Sequence, residues 1–435
     1  MRLKSIVMAT TFIVLCGCGG GGGGNSSSSS TPTQSAKLAC GASPPAAPLS
    51  TDVNVQPVQV AATPAGNFIN TVLTTLTICK AGTASCVSIP NIQVDTGSTG
   101  LRLLHSQINS LSITPINDSL SNPYGECLEF ADGNLWGGLG KVDVKFTNGA
   151  IASGVTIQMI DDDGVQQSTP AADCNTMLED SLATLGVNGV LGVGLFLQDC
   201  GPGCATPPGY AQTYYDCPGA GGNLCTQTTI STALQVSNPI ASIPGNNNGV
   251  ILEFPAISTS GAVTVNGNMI FGIDTLANNG IAASTPVLAT PDASSGSAVA
   301  GSFTASFNGN SNLLGFFDSG SSVYFFADSN ITSCTVGSSP YFCPSTAVGE
   351  TLTLTGSNGA TGQISITIGN AQSLFASSNS VAFNDIGAPL SNTSLVSAFD
   401  IGLPFFFGRS MYTGFENQTV VSPSGPFFAC AAPVT

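Results

Sequence analysis

The segments 92–100 (IQVDTGSTG) and 315–322 (GFFDSGSS) each place an aspartate, Asp95 or Asp318, at the end of an apolar run. A hydroxyl residue, a glycine and a serine follow the aspartate in both segments. Two such loops, if brought face to face, would supply two carboxyl groups that share one proton. Because such a pair can activate water without a metal, a histidine or a covalent nucleophile, the sequence predicts a catalytic pair made of Asp95 and Asp318.

The residues around the two aspartates carry this prediction, because the Asp-x-Gly triplet alone is common in a chain with 52 glycines. Only Asp95 and Asp318 combine it with a following hydroxyl residue, a serine three residues on and a preceding apolar run. The alternative is that both are Asx-turn aspartates at strand ends with no catalytic role. The triplet also occurs at Asp162, Asp199, Asp385 and Asp400.

The other residues of the two loops are expected to support the carboxyl groups. The hydroxyl residue after each aspartate can donate a hydrogen bond to the opposite loop and so hold two like-charged groups together. The glycine allows a tight turn that leaves backbone amides beside the carboxylate. The serine can donate to the outer carboxylate oxygen and fix its orientation. These supporting residues are Thr96, Gly97, Ser98, Ser319, Gly320 and Ser321.

The elements that must position these loops are predicted to be short β-strands rich in Val, Ile, Thr and Phe, separated by Gly, Asn and Ser. Helical patterns are few and short, near residues 174–185 and 228–235. An apolar-apolar-Gly element follows each loop, at residues 189–192 (GVLG) and 405–408 (FFFG), and predicts two similar lobes with a cleft between them. Hairpins are predicted for 142–146 with 155–160, for 263–265 with 269–271 around Asn266-Gly267, and for 351–355 with 363–368.

Residues 94–98 and 317–321 resemble the two catalytic loops of the pepsin-like aspartic peptidases, and the resemblance covers most of residues 50–435. It implies a mostly β, bilobal double-β-barrel with the active-site cleft between the lobes. The N-terminal lobe would span residues 50–255 and the C-terminal lobe residues 256–435. It also implies an aspartic endopeptidase that binds a peptide or protein substrate, needs no cofactor or metal, and acts as a monomer.

The resemblance also implies a β-hairpin flap over the cleft, which here falls at residues 128–138. Phe130 stands where the family has a tyrosine, so the hydroxyl that helps to order the active site is lost. Asp132 would add a negative charge near the tip of the flap. Trp136 is expected to pack within the flap, and Phe130 and Trp136 would cover bound substrate.

The N-terminal residues predict export and a lipid anchor. Residues 1–17 have a charged start and an apolar run too short to span a bilayer, which is typical of a signal peptide. Residues 15–18 (LCGC) resemble a bacterial lipobox, which implies cleavage before Cys18 and lipidation of its thiol; the alternative is an ordinary signal peptide that contains cysteine. Residues 18–49 form a flexible Gly/Ser-rich tether. This combination resembles an outer-membrane lipoprotein of the bacterial cell envelope, facing the periplasm or the cell surface.

The composition of the chain excludes some classes of binding partner. The net charge is −16 with only eight Lys and Arg residues, which argues against binding to nucleic acid or to anionic lipid. The chain has 14 cysteines, and those outside residues 16 and 18 predict up to six disulfides in an exported protein. Local pairs are expected between Cys79 and Cys86 and between Cys334 and Cys343. The cluster Cys200, Cys204, Cys217 and Cys225 is expected to form disulfides, with a zinc site as the alternative.

The sequence therefore predicts an exported, lipid-anchored aspartic endopeptidase in which the Asp95 and Asp318 pair activates water for peptide-bond hydrolysis. The alternative is a catalytically weak or inactive envelope lipoprotein that keeps the same fold as a binding or structural module. The altered flap and the low content of charged residues motivate this alternative.

Overall fold

The computed structural model describes residues 51–431, except 67, 162–173, 175–176, 207–212, 219–224, 282–284, 286, 293–299, 377–378, 391–396 and 419–423. The predicted signal peptide, the lipidation site Cys18 and the tether lie outside the described residues.

Short strands make up most of the described chain, as the sequence predicts. In the first half the strands are β1 Val55–Val60, β2 Val72–Lys80, β3 Cys86–Asp95, β4 Thr99–Leu104, β5 Tyr124–Glu129, β6 Asn134–Lys145, β7 Ile151–Ile160, β8 Gly189–Val193, β9 Tyr214–Asp216, β10 Thr226–Gln227 and β11 Gly249–Phe254. In the second half they are β12 Val265–Phe271, β13 Val287–Ala289, β14 Phe303–Phe307, β15 Asn310–Asp318, β16 Tyr324–Phe326, β17 Ser333–Val336, β18 Ser339–Phe342, β19 Val348–Thr355, β20 Thr361–Ile368, β21 Gly387–Pro389, β22 Ala398–Gly402, β23 Arg409–Gly414 and β24 Phe427–Ala431.

Helices are short and connect strands. The α-helices among the described residues are α1 His105–Ile108, α2 Leu182–Leu185 and α3 Ala371–Ala376. Single 3-10 turns lie at Asn109–Leu111, Gly201–Cys204, Thr232–Leu234, Pro239–Ser242 and Leu403–Phe405. Among the described residues of the two predicted helical stretches, α2 and the turn at Thr232–Leu234 are helical.

The strands form two lobes joined by a shared sheet. In the first lobe β6, β7, β4, β8, β3 and β2 pair in that order, and β6 also pairs with β2, which closes a six-stranded barrel. The same sheet continues from β2 through β1, β12, β11, β23, β24 and β13, so strands from both halves of the chain lie side by side. The second lobe is a seven-stranded sheet in the order β20-β19-β14-β15-β22-β16-β21. The prediction of a mostly β, bilobal fold is confirmed.

The internal duplication is real, but its second element differs from the prediction. In the first lobe β3 runs parallel to β8 and places Asp95 opposite Gly192, while β4 pairs antiparallel with β8. In the second lobe β15 runs parallel to β22 and places Asp318 opposite Gly402, while β16 pairs antiparallel with β22. The counterpart of residues 189–192 is therefore Phe399 to Gly402 and not residues 405–408. An aspartate at position 400 interrupts the apolar run of the true element, so the apolar pattern favours the wrong segment.

Two of the three predicted hairpins are confirmed, and one is wrong. Strands β6 and β7 pair antiparallel, as do β19 and β20. Residues 265–271, in contrast, form the single strand β12, which pairs with β1 on one edge and β11 on the other. Gly267 lies inside this strand, where a Cβ atom would be 2.4 Å from the carbonyl oxygen of Glu253. The glycine allows the backbones of β12 and β11 to lie close together and does not form a turn.

Aromatic side chains fill the second lobe directly behind the second loop. Phe317 stacks on Phe405 with ring centroids 5.4 Å apart and contacts Phe303 and Phe428 at 5.3 and 5.7 Å. All four rings are nearly fully buried. The residue that precedes Asp318 in the chain is thus anchored in a dense apolar layer, which fixes where strand β15 ends.

Disulfides link the cysteines of the described chain. Both predicted local pairs are present, and the insertion cysteines are paired with each other, so the zinc alternative for them is wrong. Cys430 is also disulfide-bonded. Disulfides of this number indicate an exported protein. The bridges are Cys79–Cys86, Cys127–Cys174, Cys200–Cys204, Cys217–Cys225 and Cys334–Cys343.

Within the described residues, none of the helices has the length and hydropathy needed to cross a membrane.

Candidate active site

The two predicted aspartates meet between the lobes. Asp95 is the last residue of β3 and Asp318 is the last residue of β15. Their carboxyl groups are hydrogen-bonded to one another, and neither residue has exposed surface. Two strands that are remote in sequence therefore end at one point, with the carboxyl groups facing each other.

The hydroxyl residues that follow the aspartates hold the two loops together by a reciprocal exchange of hydrogen bonds. The backbone amide of Thr96 donates to Ser319 Oγ at 3.0 Å, and the amide of Ser319 donates to Thr96 Oγ1 at 2.9 Å. Each hydroxyl then donates to a carbonyl oxygen of the opposite strand: Thr96 to Phe317 at 3.1 Å and Ser319 to Val94 at 2.9 Å. Four buried hydrogen bonds thus fix the separation of the lobes at the aspartates.

The two loop glycines allow the carboxyl groups to come this close. A Cβ atom on Gly97 would lie 2.5 Å from Cγ of Asp318, and one on Gly320 would lie 2.5 Å from Oδ1 of Asp95. No side chain fits at either position without moving the opposite carboxyl group. The backbone of Gly97 is also partly exposed, so the site is nearest to solvent there.

Each carboxyl group is oriented by its own loop. The amides of Gly97 and Gly320 donate to Oδ1 of Asp95 and Asp318 at 2.8 and 2.7 Å. Ser321 Oγ lies 2.8 Å from Asp318 Oδ2, and Ser98 makes the equivalent hydrogen bond to Asp95 Oδ2. All the supporting residues predicted from the sequence are therefore in contact with the pair or with the opposite loop.

Burial and mutual repulsion both disfavour ionisation of the pair. Burial raises the pKa of Asp95, although hydrogen bonds from Asp318, Ser98 and Gly97 and the positive charge of Arg102 oppose the rise. Burial raises the pKa of Asp318 well above its usual range, and repulsion from Asp95 or Asp400, when either is ionised, raises it further. The pair therefore retains a proton under conditions in which an exposed aspartate is ionised, and the two carboxyl groups share that proton.

A third buried carboxyl group, which was not among the predicted site residues, lies next to the second loop. Asp400 lies in β22, and its Oδ2 atom is 2.5 Å from Ser321 Oγ, the same hydroxyl that contacts Asp318. Burial raises the pKa of Asp400 well above its usual range. The signal was available as one of the additional Asp-x-Gly triplets, but only the strand pairing shows that its Gly402 lies opposite Asp318.

A buried ionic cluster, also missed, joins the first loop to the flap strand. Arg102 Nη2 donates to Glu126 Oε1 at 2.6 Å and to Asp199 Oδ2 at 2.9 Å, and Arg102 Nη1 donates to the carbonyl oxygen of Thr99 at 2.7 Å. Tyr214 donates to Asp199 Oδ1 at 2.6 Å. Burial and the adjacent Glu126 raise the pKa of Asp199 well above its usual range. A single arginine inside an otherwise apolar strand was the available signal, since such a residue needs buried partners.

The predicted flap is a hairpin of β5 and β6 that is packed on both sides. The amide of Phe130 donates to the carbonyl oxygen of Gly133 in its turn, and Asp132 is half-buried there. Phe130 is only 5% exposed and lies in an apolar cluster with Leu128 and Leu185. Trp136 is 3% exposed, so neither aromatic side chain lies open over the pair in this conformation.

The cysteine-rich insertion accounts for the packing around Trp136. Strand β9 of the insertion pairs with the outer edge of β5, and β10 pairs with β9. Tyr215 of β9 stacks edge-on against Trp136 with centroids 5.4 Å apart. The bridges Cys127–Cys174 and Cys217–Cys225 lie in the same cluster. The insertion therefore extends and braces the flap sheet.

The described residues contain no group of three or more His, Cys, Asp or Glu side chains placed to hold a metal ion.

The duplicated strand pairing, the two lobes and the facing aspartate loops give the chain a pepsin-like fold. Residues 50–430 match a protein family described as "Protein of unknown function (DUF3443)". The crystal structure of an aspartic proteinase from Irpex lacteus is similar, with 14% sequence identity and a TM-score of 0.48 over 87% of this chain and 97% of that chain. No curated protein matches the chain at a significant level.

We expect Gly320→Ala to destabilise the protein by about 1–3 kcal/mol, because the new methyl group would displace the Asp95 carboxyl group. The matched control is Gly349→Ala in β19, where a Cβ atom meets nothing within 4 Å. The control should be neutral or stabilise by about 0.4–1 kcal/mol, since alanine restricts the unfolded chain. Urea unfolding of both variants tests this. Equal unfolding free energies for the two variants would contradict the close approach.

We expect Asp318→Asn to reduce the loss of stability as pH rises. The raised pKa of Asp318 means that the folded protein holds a proton that the unfolded chain releases above an ordinary aspartate pKa of about 3.9. Stability therefore falls as pH rises from about 4 towards neutral, and removing the group should lessen that fall. Urea midpoints measured at several pH values test this, with Asp328→Asn as the control. Parallel curves for wild type and Asp318→Asn would refute the burial argument.

Proposed function

We propose that this chain, which belongs to the family described as protein of unknown function (DUF3443), is an exported aspartic endopeptidase. The observation that carries the proposal is the carboxyl pair itself: Asp95 and Asp318 are buried, face each other and are held by four reciprocal hydrogen bonds between their loops. An inert pair of Asx-turn aspartates would have no need to bring two like charges into one buried position, because that arrangement costs stability.

In the proposed mechanism the ionised Asp95 takes a proton from a water molecule placed between the two carboxyl groups. The oxygen of that water attacks the carbonyl carbon of a peptide bond, and protonated Asp318 donates a hydrogen bond to the carbonyl oxygen as negative charge develops there. Asp95 then passes the proton it took from water to the amide nitrogen, and the carbon–nitrogen bond breaks to leave a carboxylic acid and an amine. We assign the roles from the environments, since the positive charge of Arg102 partly offsets the rise in the pKa of Asp95, whereas burial and the neighbouring carboxyl groups oppose ionisation of Asp318.

Substrate access requires opening of the interlobe region. Asp95 and Asp318 have no exposed surface, and the backbone of Gly97 provides the nearest exposed part of the two loops. The flap turn at residues 130–133 would have to move for a peptide to bind, in the way that lids gate other active sites. The insertion braces the flap from behind, so we expect movement at its turn rather than along the whole hairpin.

The second candidate is a catalytically inactive envelope lipoprotein that keeps the pepsin-like fold to bind a partner. The burial of the flap aromatics Phe130 and Trp136 and the full burial of the pair favour it. It differs from the first candidate in one measurable respect, since it predicts no peptide turnover by the wild-type protein under any condition.

We expect Asp95→Asn and Asp318→Asn each to lower kcat/KM on peptide substrates by roughly 10²–10⁴, because each removes one half of the acid–base pair. Cleavage of a broad peptide library, followed by mass spectrometry between acidic and neutral pH, is the measurement. Asp328→Asn, in a half-exposed loop after β16, is the control and should retain wild-type turnover. Turnover that survives in both pair variants would eliminate the mechanism, and turnover by no variant, wild type included, would favour the second candidate.

We propose that a lipid attached to Cys18 holds the protein at the membrane. This proposal is supported by residues 15–18, which resemble a lipobox, and by disulfides that indicate export. We expect Cys18→Ala to move the protein from the membrane fraction to the soluble envelope fraction, because one lipid-modified cysteine carries the anchor. Cell fractionation and metabolic labelling with a fatty acid are the measurements. Unchanged membrane association without label would show that another element holds the protein. The proposed partners are otherwise a peptide or protein substrate, with no nucleic acid, for a monomeric enzyme.

A further inference from the structure

The second loop has a polar neighbour that the first loop lacks. The strand pairing places Asp400 opposite Phe316, two residues before Asp318, and the equivalent position opposite Gln93 in the first lobe is Val190. The equivalent of Asp400 in the first lobe is therefore apolar, while Ser321 lies between two carboxyl groups. The symmetry of the two loops is therefore broken at the position of Asp400.

Counting protons decides how these groups are bonded. Ser321 Oγ is 2.8 Å from Asp318 Oδ2 and 2.5 Å from Asp400 Oδ2, and both distances are those of hydrogen bonds between oxygen atoms. A hydroxyl group has one proton and can donate to only one of them. The second contact therefore needs a proton that one of the carboxyl groups supplies.

The surroundings of Asp400 identify it as the group that keeps the proton. Asp400 is 1% exposed, and its Oδ1 atom is buried without a hydrogen-bond donor among the described residues. A buried carboxylate with an unsatisfied oxygen is strongly disfavoured, whereas the protonated acid leaves only a neutral carbonyl oxygen there. The titratable groups that act on Asp400 are Asp318 from β15 and Asp95 from β3, and both disfavour a further negative charge. Strand β16 places the apolar Phe325 opposite it.

We infer that Asp400 is a positioning residue: its protonated carboxyl group donates to Ser321 Oγ, so that the Ser321 hydroxyl donates to Asp318. The relay would fix the orientation of Asp318 and favour the form of the pair that carries one negative charge. If Asp400 ionised, the Ser321 hydroxyl would turn to it and present a lone pair to Asp318. The catalytic effect of this relay rests on the proposed peptidase function. The hydrogen bonds between Asp400, Ser321 and Asp318 do not depend on that function.

Two variants of Asp400 distinguish hydrogen-bond donation to Ser321 from a purely structural role of the side chain. Asp400→Asn keeps a donor of the same shape that cannot ionise, so kcat should stay within about threefold of wild type while the high-pH limb of activity extends to higher pH. Asp400→Leu removes the donor, and kcat should fall about tenfold with KM unchanged, the size expected for one lost orienting hydrogen bond. A purely structural role predicts similar losses in both variants and no change in the pH limb, which would overturn the inference.

An infrared measurement tests the proton directly and does not depend on turnover. The difference spectrum between wild type and Asp400→Asn at neutral pH should show loss of a carbonyl band from a protonated carboxylic acid. The control variant Asp328→Asn should show no such loss. If only carboxylate bands are lost on Asp400→Asn, Asp400 is ionised and the relay is excluded. Absence of peptidase activity in wild type would refute the proposed function while leaving this readout decisive.

Discussion

The structure depends on holding two carboxyl groups, those of Asp95 and Asp318, close together and away from water. Asp95 and Asp318 come from separate lobes, and each has no exposed surface. Ionising both would place two negative charges in a buried position, so they must share a proton and be held by groups that do not relax. The exchange of hydrogen bonds between Thr96 and Ser319 meets this need, because each residue satisfies a backbone amide and a backbone carbonyl of the opposite lobe.

The surrounding fold can be understood as support for that exchange. Parallel pairing of β3 with β8 and of β15 with β22 fixes where each aspartate strand ends. Asn70 adds a further link between the lobes: its Nδ2 atom donates to the carbonyl oxygens of Ser322 and Phe383, and its Oδ1 atom accepts from the amide of Phe383. The aromatic layer at Phe317 then anchors the second loop from behind. A small displacement at the pair is therefore opposed from several directions.

Sequence reasoning recovered the loops because their chemistry is local. Each loop has an aspartate, a hydroxyl residue, a glycine and a serine in fixed order, and the chemistry of each residue type indicates its role. The hydrogen bonds of Thr96 to the opposite lobe follow from that order. Asp400 could not be found in this way, since its contact with Ser321 spans 79 residues and depends on strand pairing. The partners of Arg102 are likewise set by the fold. Gly267 led to a wrong turn prediction because close backbone approach and a tight turn both require glycine, and only the pairing of β12 distinguishes them.

The two loops are nearly identical, yet the proposed mechanism needs one acid and one base. The difference arises from residues outside the loops. Arg102, buried in the strand that follows the first loop, partly offsets the rise in the pKa of Asp95, while Asp400, on the strand beside the second loop, is a carboxyl group that disfavours ionisation of Asp318. Environments that separate the pKa values of paired carboxyl groups are what assign acid and base roles. In this protein a duplicated motif thus supplies the geometry of the pair, and two unduplicated buried groups, Arg102 and Asp400, supply its direction.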